Sequence, residues 1–133
     1  MMILVVEDEV LIGLGLHMVL SLAGYHVRGP AMCVASALAI AAEEKPDIAL
    51  VDVNLAGHAE GLEVARKLRE QHGTTVIFLT AQPDRARQAR DIALGGITKP
   101  YDPQTPVRAV EFATEARAGR PSARAPPGLE LFA

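Results

Sequence analysis

The chain has 133 residues, half of them apolar, with a formal net charge of −3. That length suits one domain with one compact site and is too short for two well-cored units. Five aromatic side chains against 22 Ala and 15 Leu describe aliphatic, helix-rich packing and disfavour a β-sandwich. The acidic balance lacks the basic excess that grips a phosphate backbone, so no nucleic-acid partner is expected. Cys33 is the sole cysteine, which excludes an internal disulfide and a thiolate metal cage and fits a reducing compartment. The N-terminal run turns acidic at Glu7, has no basic n-region and is too short to span a bilayer. A cytoplasmic location with no membrane partner follows as an expectation.

Ile3 to Val6 is an apolar, β-branched run that predicts a strand buried on both faces. Residues 10–23 place Ile12, Leu16, Val19 and Ala23 at helical spacing, and Gly24 stands just past the helix end. Tyr25 to Gly29 predicts a second strand, Val34 to Glu44 an Ala-rich helix and Ile48 to Val51 a third strand after the Pro46-Asp47 break. Gly61 to Gln71 carries Leu62, Ala65 and Leu68 on one face, and Thr75 to Leu79 is the next apolar run. Residues 84–94 are weakly helical, Gly96 to Thr98 predicts a fifth strand, and Pro103 to Arg117 predicts a last helix with Pro in its first turn.

Five strand-helix units with short connections imply parallel strands, right-handed crossovers and helices on both faces of one sheet. The expected fold is a doubly wound α/β domain, flavodoxin-like, with five strands in 2-1-3-4-5 order and a ligand crevice at the carboxyl ends of strands one and three. Residues 117–127 consist of Arg, Ala, Pro, Gly and Ser, which predicts a domain over residues 1–118 and a disordered tail over 119–133. Leu129, Leu131 and Phe132 are apolar groups that a solvated tail does not need, but truncation after Gly119 is expected to leave the melting temperature unchanged. Residues 1–116 hold 10 Lys and Arg against 15 Asp and Glu, so the predicted domain is more acidic than the whole chain.

Glu7 and Asp8 follow the first predicted strand, Asp52 the third, Thr80 the fourth and Lys99 the fifth. All of them fall on one edge of the sheet. Three carboxylates facing one ammonium leave negative charge uncompensated, which either raises a pKa or recruits a cation. An all-oxygen donor set favours Mg²⁺ over Zn²⁺. Asp52, flanked by Val51 and Val53, suits a carboxylate nucleophile toward a phosphoryl group. Lys99 and the metal would then offset charge on the transferring oxygens, and the Thr80 hydroxyl would donate to one of them.

The runs Val5-Val6-Glu7-Asp8-Glu9 and Asp47 to Leu55, with the pairs Thr80-Ala81 and Lys99-Pro100, resemble the receiver domain of two-component response regulators over about residues 2–117. The resemblance is to a chemotaxis-regulator-like, stand-alone single-domain response regulator. It implies that Asp52 accepts phosphoryl from a phosphohistidine on a sensor histidine kinase or histidine phosphotransferase. It further implies that Glu7, Asp8, Asp52 and the backbone carbonyl of Asn54 organise Mg²⁺, that Thr80 is the switch hydroxyl, and that Lys99 contacts the phosphoryl group. Such a protein changes its affinity for an effector and turns over no separate substrate.

The sequence departs from that pattern in several places. Glu7 stands where the family has an aspartate, Ala56 where it has a proline, and Gly96 where many members carry an aromatic switch residue, a role to which Tyr101 is the nearest substitute. The short interval from Thr80 to Lys99 predicts a short or irregular fourth helix, as in receivers of bacterial general-stress and light-sensing systems. Two alternatives remain open at this level: a phosphate sink for a shared kinase, and a non-phosphorylated interaction module that keeps only the fold. Gly13-x-Gly15 lies inside a helix, so it is no dinucleotide loop, and His17, His26, His58 and His72 lack ligand spacing. Arg85, Arg87 and Arg90 read as a solvated helix face or as part of a partner-binding face.

Overall fold

The computed structural model describes residues 1–55, 60–120 and 124–132. Its elements are β1 (Met2–Val6), α1 (Val10–Leu22), β2 (His26–Ala31), α2 (Val34–Glu43), β3 (Ile48–Asp52), α3 (Glu60–His72), β4 (Thr75–Thr80), α4 (Pro83–Gln88), β5 (Gly95–Thr98), α5 (Gln104–Arg117) and β6 (Leu129–Leu131). The sheet order is β2-β1-β3-β4-β5-β6, parallel through β5, with β6 antiparallel to β5.

Alternation along the strands divides the core in two. Met2, Leu4 and Val6 of β1, with Ala49 and Val51 of β3 and Phe78 of β4, join the cluster that includes Ala37, Ala41, Val64, Ala65 and Leu68 of α2 and α3. Ile3, Val5, Leu50, Ile77 and Leu79 point the other way, onto Leu16 and Leu20 of α1 and Val107, Val110 and Ala113 of α5. Every residue of β1 and β3 is therefore buried, which is why these strands read as unbroken apolar runs.

The doubly wound sheet, its 2-1-3-4-5 order and a short fourth helix agree with expectation, and the C-terminal segment corrects it. The fourth helix ends at Gln88, because Ala86 is its only buried side chain, while Ala89 and Ile92 reach the core from irregular backbone. Among the described residues the sheet has six strands, and residues 129–131 of the expected disordered tail form the sixth. A domain boundary at residue 118 would thus cut a strand from its sheet.

The physical reason is a turn hidden among the prolines. The Leu129 amide donates to the Pro126 carbonyl at 3.2 Å, and Gly128 sits at φ +90°, the signature of a type II turn with Pro127 and Gly128 at its centre. That turn delivers Leu129 opposite Ile97 and into the α1–α5 side of the core. Deleting residues 120–133 is therefore expected to lower the melting temperature by at least about 5 °C, since burying one leucine is worth roughly 2–4 kcal/mol. A thermal melt checks this, and an unchanged midpoint would return the segment to a free tail.

Candidate functional site

Successive parallel strands bring their carboxyl ends to one edge, and the chain winds outward in opposite directions from β1 and β3, which opens a crevice between them. Glu7 and Asp8 leave the end of β1, and Asp52 is the last residue of β3. Thr80 ends β4, and Lys99 directly follows β5. Because β1 and β3 are adjacent, residues 45 positions apart in sequence face each other across this crevice.

Lys99 is the electrostatic hub. Its Nζ donates to Glu7 Oε1 at 2.8 Å and lies 3.5 Å from Asp52 Oδ2 and 3.9 Å from Glu9 Oε1. The other Asp52 oxygen, Oδ1, accepts the Asn54 amide at 3.1 Å. Glu7 is fully buried, and its Oε2 has no hydrogen-bond partner. Thr80 is tied in twice: its carbonyl accepts the Lys99 amide, and its Oγ1 accepts the Gln82 amide, both at 2.8 Å.

The charges respond to this crowding. Burial, reinforced by the hydrogen-bonding proximity and charge of Asp52, outweighs Lys99 and pushes the Glu7 carboxyl up to about 8. Burial works to lower the Lys99 ammonium, but the hydrogen bond and charge of Glu7, then Asp52 and Glu9, hold it above its ordinary value. Tyr101, beside this edge, is pushed up to about 12, mainly by burial.

Glu7, Asp8 and Asp52 each offer one carboxylate oxygen, and these oxygens lie within 4.8 Å of one another. A hard, oxygen-only donor set with one buried oxygen left orphaned fits a divalent cation such as Mg²⁺.

The structure thus brings Glu7, Asp8, Asp52 and Lys99 together, with Thr80 on the same edge and Asn54 bonded to Asp52. Sequence reasoning missed the cover over them. Asn54 Nδ2 donates to Gln82 Oε1 at 3.4 Å, and Arg85 Nη1 donates to Asn54 Oδ1 at 2.9 Å. Only the turn between Thr80 and Pro83 aims the first turn of α4 at Asn54, so local periodicity carried no signal for it. Ala56 and His58 lie outside the described residues.

Residues 3–111 match the family model of the response regulator receiver domain. The chain belongs to that family. This receiver is 38% identical over 84 residues to the phyllosphere-induced regulator PhyR of Methylorubrum extorquens, a match covering 62% of the chain and 32% of PhyR. It is 31% identical over 114 residues to the transcriptional regulatory protein PdtaR of Mycobacterium tuberculosis, covering 84% of the chain and 55% of PdtaR. The chain therefore spans well under two thirds of the length of these curated relatives. Among solved structures, the receiver domain of NtrX from Brucella abortus superposes with a TM-score of 0.79 at 30% identity, covering 85% of this chain and 98% of that one. The chemotaxis response regulator CheY4 of Vibrio cholerae gives 0.74 at 26% identity, covering 84% and 97%. Among the described residues, no helix of this receiver is long and apolar enough to cross a membrane.

The raised Glu7 carboxyl predicts an unusual pH profile. Between the ordinary value of 4.5 and about 8, the folded receiver holds a proton that the unfolded chain releases. The stability from this group is complete below the lower value and is lost as pH rises through the upper one. In chelator, the melting temperature is expected to fall between about pH 5 and pH 8, and Glu7→Gln is expected to flatten that fall. Melts of both proteins across this range measure it.

Proposed function

We propose that this receiver takes a phosphoryl group onto Asp52 from a phosphohistidine on a sensor histidine kinase or histidine phosphotransferase in the cytoplasm. The acyl phosphate then changes its affinity for an effector protein. The reading is carried by one observation: Asp52 is held at the switch-point crevice with one oxygen on the Asn54 amide and the other facing Lys99, next to two further carboxylates.

In the transfer, a carboxylate oxygen of Asp52 forms the new O–P bond as the P–N bond of phosphohistidine breaks. The electron pair of that bond leaves with the imidazole ring. Lys99, already aimed at Asp52 Oδ2, offsets negative charge on the transferring oxygens. Thr80 Oγ1 accepts the Gln82 amide and keeps its own hydrogen for donation to a phosphoryl oxygen. Glu7, Asp8, Asp52 and the Asn54 carbonyl would hold Mg²⁺, which when bound would add positive charge against the phosphoryl oxygens. The receiver is itself the acceptor and turns over no separate substrate.

Intact mass after incubation with acetyl phosphate tests the assignment. A single phosphoryl increment is expected with Mg²⁺, none in chelator and none in Asp52→Asn. Persistence of the increment in Asp52→Asn, with its loss in another carboxylate variant, would refute it. Asp8→Asn is expected to weaken Mg²⁺ binding more than Glu7→Gln, because the direct metal contact is assigned to Asp8 and the longer Glu7 carboxylate is assigned a contact through water. Lys99→Ala is expected to keep the fold and slow phosphorylation on the order of a hundredfold; an unfolded variant would make Lys99 structural instead.

A further inference from the structure

Strand β5 contains Gly95 and Gly96, and β6 lies directly on them, with Gly95 opposite Leu131, Gly96 opposite Glu130 and Ile97 opposite Leu129. A β-carbon at Gly95 would collide with the Glu130 carbonyl, and one at Gly96 would stand 3.1 Å from Phe132 Cζ. The glycine pair is what lets the strand and the ring settle there. The pairing continues through the Phe132 amide, which donates to the Leu94 carbonyl at 3.0 Å.

Alternation sends Leu129 toward α5 and sends Glu130 and Phe132 toward α4. Glu130 takes Arg87 in a two-oxygen fork, Oε2 with Nε at 2.6 Å and Oε1 with Nη2 at 2.8 Å. Phe132 packs against the cluster that contains Ala86, the one buried side chain of α4. The ring thus covers Gly96, while Tyr101, the substitute expected from sequence, packs with the opposite, α1–α5 cluster.

A helix of six residues does not hold itself together, so α4 depends on what grips each end. Its start is tied to the site, through the Gln82 amide on Thr80 Oγ1 and Arg85 on Asn54, whose own amide bonds Asp52. Its second turn is tied to β6 through Arg87 and Ala86. A phosphoryl group on Asp52 would crowd the Asn54 amide and draw Thr80 Oγ1 toward itself, which would move the two anchors, Asn54 and Thr80, that hold the start of α4.

We propose that the outer edge of β5, with the flank of α4, is an interaction surface that this chain fills with its own segment Leu129–Phe132, and that phosphorylation of Asp52 shifts α4 and releases the segment. The proposal rests on Asp52 being the phosphoacceptor. It requires reciprocity: whatever loosens β6 strengthens binding of a phosphoryl mimic by the same coupling.

The test uses the whole chain. Hydrogen exchange at the Phe132 amide and across 129–132 is measured with and without beryllofluoride and Mg²⁺, and protection is expected to fall at least about fivefold on addition. Glu130→Ala, with Arg87→Ala as its counterpart, removes the fork from an exposed position outside the acidic site. Both variants are expected to exchange faster in this segment without the mimic and to bind beryllofluoride at least about fivefold more tightly. Beryllofluoride that binds wild type while protection of 129–132 stays unchanged overturns this proposal alone, as does unchanged mimic affinity in both variants. Absence of any Asp52-dependent beryllofluoride binding overturns the phosphoacceptor reading and this proposal with it.

Discussion

Three carboxylates, Glu7, Asp8 and Asp52, crowd together at the ends of two adjacent strands with the ammonium of Lys99 beside two of them, and the rest of the site answers to that imbalance. Placing like charges in a buried crevice is costly unless they are paired, protonated or bound to a cation. Lys99 addresses part of the cost, through its direct bond to Glu7 and its approach to Asp52. Glu7 absorbs another part by holding its proton to high pH. What remains is a set of oxygens whose natural complement is a hard cation. Lys99 reaches this position because β5 lies two strands from β3 and ends on the same edge, so the order of the sheet and the electrostatics of the crevice are one arrangement.

Firmness elsewhere contrasts with weakness at α4. Strands β1, β3 and β4 are buried on both sides by large aliphatic side chains. The α4 segment contributes one alanine and is held chiefly by polar ties at both ends. Such a segment opens at a lower free energy than the sheet it covers, and segments that change state are drawn from that end of the stability range. The residues that tie its start are bonded directly to Asp52 and Thr80 or to their neighbours, so the weakest element is the one hydrogen-bonded to the crevice.

The missing aromatic in β5 illustrates how a local absence can be met from elsewhere. Gly96 leaves a gap on the α4 side of the sheet, and Phe132 fills it from a strand that arrives 36 positions later. The same glycines that remove a side chain from β5 clear the backbone edge for antiparallel pairing. Loss of a residue on one strand and gain of a strand at its edge are therefore linked by simple sterics.

Much of this receiver was legible in its sequence. Apolar β-branched runs ending in acids, a hydroxyl or an amine are enough to place Glu7, Asp8, Asp52, Thr80 and Lys99 at one edge, because parallel strands joined by short crossovers leave no other place for their carboxyl ends. The shortness of α4 was legible too, from the lack of large apolar residues over 84–94. The sixth strand was not, since three residues carry no usable periodicity and their partner is a glycine pair far upstream. Nor were the bonds of Gln82 and Arg85 to Asn54, which depend on a turn angle. The sequence by itself determined on which edge Glu7, Asp8, Asp52, Thr80 and Lys99 stand, because strand burial and chain direction are local properties. Only the tertiary structure decided how deeply Glu7 is buried and which segment closes the β5 edge, because both depend on packing between parts of the chain that share no local pattern.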